Sequence, residues 1–262
     1  MGSDIQAAIN ASEQPTDVVK VSGYCLAHDI NLEKTLVLQG GWRYDFGEFT
    51  TGIYTTTLDA QNSGRVIQII GDSSAVVDSL TITGGKTNDV GGGVYIDSTS
   101  SPVIQYSIIS GNYAGAGGGV YILSGIPVIQ NNAFTGNTAY YGGGLDNETG
   151  SATIQGNHFI SNQGYMGGGL ANINGNCLVQ DNVFQNNNAV NGGGLYNEVG
   201  SATIQSNIFQ WNTSSGNGGG VFLQGGTPLL QNNFIIDNTS SRGGGIVLRS
   251  SKGIDPIQYI FG

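Results

Sequence analysis

Gly192-Gly-Gly-Leu-Tyr-Asn-Glu-Val-Gly-Ser-Ala-Thr-Ile-Gln-Ser-Asn-Ile-Phe-Gln-Trp-Asn212 is one turn of a pattern that runs through most of this chain. It holds three short β-type stretches, 195–197, 202–205 and 208–210. Gly, Ser and Asn, the residues that turns favour, separate them. A Gly-Gly-Gly triplet begins at Gly91, Gly117, Gly142, Gly167, Gly192, Gly218 and Gly243, in steps of 26, 25, 25, 25, 26 and 25 residues. Phe134, Phe159, Phe184, Phe209 and Phe234 recur 25 apart, with Ile109 in the same place one repeat earlier. Gln105, Gln130, Gln155, Gln180 and Gln205 follow suit, with Gln231 after a one-residue slip. Such a unit cannot enclose a core alone, but stacked units can, each strand pairing with its equivalent ~4.8 Å away. The expected architecture is an all-β, single-domain parallel β-solenoid of roughly ten coils with three short strands each.

Strand alternation then assigns directions. On the first strand, Leu145 and Asn147 point in while Asp146 and Glu148 point out; on the second, Ala152 and Ile154 point in; on the third, Phe159 points in and His158 out. Asn columns follow the same rule. Asn132, Asn157, Asn182 and Asn207 follow the second strand, and Asn137, Asn162, Asn187 and Asn212 follow the third. Asn147, Asn172 and Asn197 lie inward on the first. Stacked amides can bond one another and satisfy turn backbone groups.

The chain divides into a cap helix and leader at 1–17, irregular early coils at 18–90, regular coils at 91–253 and a partial last coil at 254–262. Ile5, Ala8 and Ile9 form a helical stripe after Ser3 and Asp4, with Gln6 placed for a capping box. Such a helix would close the open end of the stack. Early strands are expected at 18–21, 36–38, 66–70 and 80–83.

Composition narrows the function classes. There are 45 Gly among 262 residues, and 8 Lys+Arg against 18 Asp+Glu give a net charge of -10. Nucleic acid is disfavoured as a partner, because binding it needs a basic footprint. No apolar run is long enough to span a membrane. Cys25 and Cys177 lie far apart in sequence, and Cys177 falls in an inward column of small residues, as a buried thiol. No metal or cofactor motif is present.

The segment Phe-Thr-Gly-Asn-Thr-Ala-Tyr-Tyr-Gly-Gly-Gly-Leu (134–145) resembles the polymorphic outer membrane protein repeat, marked by Phe-x-x-Asn and Gly-Gly-Ala-Ile. The run Leu-Thr-Ile-Thr-Gly-Gly (80–85), and the opening helix followed by 18–21, resemble the pectin-lyase-like superfamily of right-handed parallel β-helices. The resemblance implies a secreted or cell-surface protein, in some members adhesive. Gly replaces the family's Ala in every triplet, and self-translocation is not carried over. The superfamily also holds polysaccharide lyases and hydrolases. Between Lys86 and Arg242, however, the chain has no Lys or Arg to serve as a lyase base. The best carboxylate pair is Asp146 and Glu148, roughly 6.5–7 Å apart on one strand face, within the span of inverting glycosidases.

One outward column is unusual: Tyr95, Tyr121, Asp146, Ala171, Tyr196, Phe222 and Val247, with Tyr113, Tyr140, Tyr141, Tyr165 and Met166 in the preceding turn. An aromatic and acidic strip on a flat face can stack sugar rings or dock a protein. The expectation is therefore a non-catalytic exported scaffold that binds a polysaccharide or cell-surface protein through Tyr95, Tyr121, Asp146, Tyr196 and Phe222. The rival is a carbohydrate-active enzyme using Asp146 and Glu148 on the same face.

Overall fold

The computed structural model describes residues 2–50 and 52–249. Three parallel sheets of nine strands each run the length of the described chain. The repeat unit becomes strands Leu195–Asn197, Thr203–Gln205 and Ile208–Gln210, which enter what we call the first, second and third sheets. Pairing follows the sequence columns: Leu145 lies beside Leu170, Ile154 beside Val179 and Phe159 beside Phe184. The chain is thus an all-β right-handed parallel solenoid. Nine rungs are described, against roughly ten expected, and the partial coil expected at 254–262 lies outside the described residues. Among the early coils the strands are Val18–Lys20, Val37–Gln39, Ile67–Ile69 and Thr81–Thr83, near the expected positions. The sequence reading missed Gly23–Leu26, Ile30–Leu32, Thr56–Asp59 and Val76–Asp78.

A helix, Gly2–Ala11, caps the first rung and buries Ile5 and Ile9 against it. Gln6 does not close a capping box. Its side chain accepts the Asn31 N–H at 2.8 Å and donates to the Asn31 carbonyl at 3.2 Å, so it pairs the free edge of strand Ile30–Leu32. The helix starts earlier than the capping-box pattern placed it, and that frees Gln6 for the edge.

The interior is a set of stacked columns. Phe134, Phe159, Phe184 and Phe209 stack face to face with centroids 4.6–4.7 Å apart. Offset stacking of this kind adds to the burial energy of the rings. Phe234 is not the fifth member. Phe209 pairs with Ile235, while Phe234 pairs with Ile208 and is exposed. The cause is one extra residue in Thr213–Asn217, where the pairing register shifts. The next rung therefore steps by 26, as from Leu195 to Val221 and from Ile208 to Phe234, before the spacing returns to 25 between Val221 and Ile246, and the 25-residue match of Phe234 is a coincidence.

The Asn ladders form as the columns require. Asn137 illustrates the rule: its N–H and its side-chain amide both donate to Asn162 Oδ1 at 3.0 Å, and the same amide donates to the Ile109 carbonyl at 2.8 Å. Asn112 and Asn238 extend this ladder, and Asn233 extends the one through Asn207. Each side chain thereby satisfies turn groups that burial would otherwise leave orphaned. Cys177 sits beside the inner ladder, 3.4 Å from Asn172 Oδ1, and burial pushes its thiol up to about 12. Both cysteines are free.

Candidate functional site

The glycine triplet controls the outside of the first sheet. Gly142 has φ +56°, and a Cβ there would run into the Leu145 carbonyl. Gly144 faces the core, where a Cβ would lie 2.9 Å from the Phe159 ring. Only glycine lets the chain turn this tightly onto the outer side of the strand that follows. The residues before each triplet are consequently not loose turns. They pair from rung to rung, Tyr113 with Thr138 and then Gln163, and Ala116 with Tyr141 and then Met166. Further along they become a fourth, three-stranded sheet: Asn188–Asn191, Thr213–Asn217 and Thr239–Arg242.

This fourth layer lies over the strip that the sequence placed in solvent. Tyr121 keeps 7% of its surface, Tyr196 and Phe222 1% each, and Asp146 and Ala171 none. Ala171, Tyr196 and Phe222 form a second apolar cluster, with Tyr141, Met166, Ile173 and Val247 packed against it. Tyr95 is half-buried, stacked on Tyr121 at 5.9 Å and covered by the Arg65 guanidinium 4.7 Å above its ring. Arg65 is held there by hydrogen bonds to the Val90 and Gly91 carbonyls. The outward direction of Tyr95, Tyr121, Asp146, Tyr196 and Phe222 stands, but the strip is not an open contact face. Strand alternation sets direction and says nothing about what packs on the far side.

Asp146 is the anomaly of this layer. Neither carboxylate oxygen has a hydrogen-bond partner. Burial raises its pKa well above the usual carboxylate range, and the nearby Glu148 charge adds to the shift. Glu148, two residues on, is half-buried. Tyr121 and Tyr141 are pushed up in turn, mainly by burial and then by acidic neighbours, Glu148 first for Tyr121 and Glu198 first for Tyr141. Asp146 and Glu148 are thus neighbours as expected, but only Glu148 is open to solvent. His158 is exposed on the third sheet.

Aromatic rings also reach solvent on the outside of the covering layer. Tyr140 and Tyr165 are 49% and 41% exposed and stack at 4.5 Å with an interplanar angle of 12°. Tyr141 meets Tyr140 edge-on at 4.9 Å. Tyr113 is exposed beside them. The layer alternates: Ala114 and Ala139 face in and are buried, while Tyr113 and Tyr140 face out. That alternation was available as a sequence signal for a fourth strand. Among the described residues, no group of three or more His, Cys, Asp or Glu could hold a metal ion, and no helix is long and apolar enough to cross a membrane.

A parallel solenoid with inward ladders and one capped end is the hallmark of one class of protein. A family model described as the right-handed β-helix region matches residues 65–235, and the chain belongs to that family. No curated protein and no solved structure matches the chain.

Proposed function

We propose that the chain is a non-catalytic, exported or cell-surface scaffold that holds a polysaccharide against a ridge of tyrosines. The observation that carries this reading is the exposed Tyr140–Tyr165 stack on a backbone locked by rung-to-rung hydrogen bonds. Large aromatic rings fixed on a rigid face bind sugar rings at little cost in side-chain order. The resemblance of segment 134–145 to surface-protein repeats supports export. The contact face moves from Tyr95, Tyr121, Asp146, Tyr196 and Phe222 to the layer that covers them. A carbohydrate-active enzyme working from Asp146 and Glu148 has less support, because the Tyr141–Met166 layer would have to lift before a substrate reached Asp146.

The test is co-sedimentation with cellulose, chitin and curdlan, together with assay of the supernatant for released sugar. The expected result is retention on at least one polymer, lost in a Tyr140→Ala/Tyr165→Ala double variant, without sugar release. Retention unchanged in the double variant would overturn the ridge, and steady sugar release abolished by Asp146→Asn would restore the enzyme reading.

A further inference from the structure

The outer side of the third sheet meets solvent and changes character along its length. Its last seven strands run from Thr81–Thr83 to Phe234–Ile236, with His158–Ile160 in the middle. Among the described residues, no outward position of these strands carries Lys, Arg, Asp or Glu, in a chain of net charge -10. Apolar side chains stand in solvent there: Ile108 is 48% exposed, Ile208 40% and Phe234 53%. Side chains on the early strands are small and those on the late strands large. One outward row runs from Thr83, Ser110 and Thr135 to Gln185, Gln210 and Ile236. The turn that follows the strands shows the same trend, from Gly84, Gly111 and Gly136 to Asn186, Trp211 and Asp237, all with φ between +54° and +68°. Trp211 stands out in that row. A left-handed backbone disfavours a bulky side chain, and the ring is 48% exposed, so burial within its own chain does not account for it. The glycines at the other end leave notches. A Cβ on Gly136 would meet nothing within 4 Å, and one on Gly111 only Thr83 Oγ1 at 3.6 Å.

We propose that this face pairs with the same face of a second copy, solenoid axes antiparallel, about a twofold axis along His158–Ile160. A twofold contact sets each rung against the one equally far from the axis on the other side. Ile208 then meets Ile108 of the second copy, Phe234 meets Thr81, Gln210 meets Ser110, and the Trp211 ring lies over the notch at Gly111. Large side chains meet small ones, whereas a parallel pairing would set the Trp211 rung against itself. In the flanking turns Asp181 comes opposite Asn131 and Asp237 opposite Gly84, so neither carboxylate faces another. The reversal of size about a single rung is what singles out a second copy as the occupant. The outer side of the second sheet offers no such match, because its Gln row bonds to itself, Gln130 to Gln105 at 2.9 Å and Gln205 to Gln180 at 2.7 Å. Seven rungs at ~4.8 Å, by a width of about five residues, give roughly 550 Å² per copy. A stable interface buries about 800 Å² per partner. The dimer is therefore a reversible one, with a Kd of roughly 10–100 µM.

This contact is independent of the tyrosine ridge, which lies on the fourth layer. Sedimentation equilibrium between about 1 and 300 µM should show monomer and dimer exchanging. Trp211→Ala should raise the Kd about tenfold, as for an interface anchor. His158→Arg, which sets two guanidinium groups against each other at the axis, should leave monomer throughout. Both side chains are exposed, and unchanged circular dichroism checks the fold. The direction of pairing is read with a short bis-maleimide cross-linker. Ile108→Cys and Ile208→Cys lie four rungs apart, so each variant alone should stay unlinked and the mixture should cross-link. Wild type, whose two cysteines are buried, is the blank. Monomer at every concentration, or a dimer that Trp211→Ala and His158→Arg leave intact, would overturn the proposal. Cross-linking of each cysteine variant with itself would overturn the antiparallel arrangement. His158→Arg keeps Tyr140 and Tyr165 in place, so loss of the dimer and loss of polysaccharide retention are scored separately.

Discussion

The first and third sheets are built from the same kind of strand and end differently on their outer sides. On the third sheet, Phe184 is enclosed while His158 and Ile208, which point the other way, meet solvent. On the first, Leu145 and Asn147 point in, yet Asp146 and Tyr196, which point out, are as buried as the core. The difference is made by glycine. Among the described residues the outward positions His158 and Ile208 of the third sheet stay uncovered, whereas each triplet brings the chain back over the first. A β-helix can in this way carry a second, thinner apolar layer outside its main core.

The comparison breaks most visibly under alanine substitution. Phe184→Ala should cost ~3–5 kcal/mol by opening a cavity in the ring stack, whereas His158→Ala, on the same sheet, should stay within ~0.5 kcal/mol. Tyr196→Ala, although it points outward, should cost on the order of 3 kcal/mol, as for other buried aromatic rings. Urea denaturation of the three variants is the measurement. A surface-like loss for Tyr196→Ala would mean the fourth layer does not seal the first sheet, and a surface-like loss for Phe184→Ala would undo the rung-upon-rung stack.

Asp146 sharpens the comparison through its pH dependence. Its folded pKa is raised, so the folded state holds a proton that the unfolded chain releases above about pH 3.9. Stability from this group is complete below that value and is lost as pH rises through the folded pKa. Leu has the same branched shape as Asp and needs no hydrogen bonds. Asp146→Leu should therefore stabilise the protein at pH 8, by about 1–3 kcal/mol, the usual cost of an unpaired buried polar group, and by less at pH 4. Urea midpoints of variant and wild type at the two pH values give the difference. An equal gain at both, or a loss at pH 8, would show that the carboxylate is hydrated or paired in solution.

Most of the fold was legible in the sequence because a solenoid turns periodicity directly into position. The Phe and Asn columns, the inward alternation and the capping helix all follow from spacing. What was not legible has specific physical causes. The hairpin in which Trp42 pairs antiparallel with Phe49 lies in the early coils, where no repeat exists to set a register. The cover over Tyr121, Asp146, Tyr196 and Phe222 depends on a chain reversal, and glycine permits a reversal without announcing its direction. The Ala114 and Ala139 column held that information, because small buried residues alternating with exposed tyrosines mark a strand packed on one side. Tyr121, Asp146, Tyr196 and Phe222 consequently read as surface residues although they lie one layer below it.

The smallest expected effect concerns the register of the last rungs. Phe234 fits the 25-residue period by sequence, but the extra residue in Thr213–Asn217 moves it one place, and that single step carries it from the inner to the outer side of the third sheet. Ile235 takes the inward place beside Phe209. Phe234→Ala should accordingly change stability by no more than ~0.5 kcal/mol, although the same substitution at Phe184 is among the most damaging in the molecule. Deleting Ser215 would remove the extra residue and leave Ile235, then 25 residues after Phe209, in the inward place, so Phe234→Ala should stay near neutral in that background as well. If Phe234→Ala were costly in the wild type, the ring stack would run one member further than described and the register of the final rung would have to be redrawn.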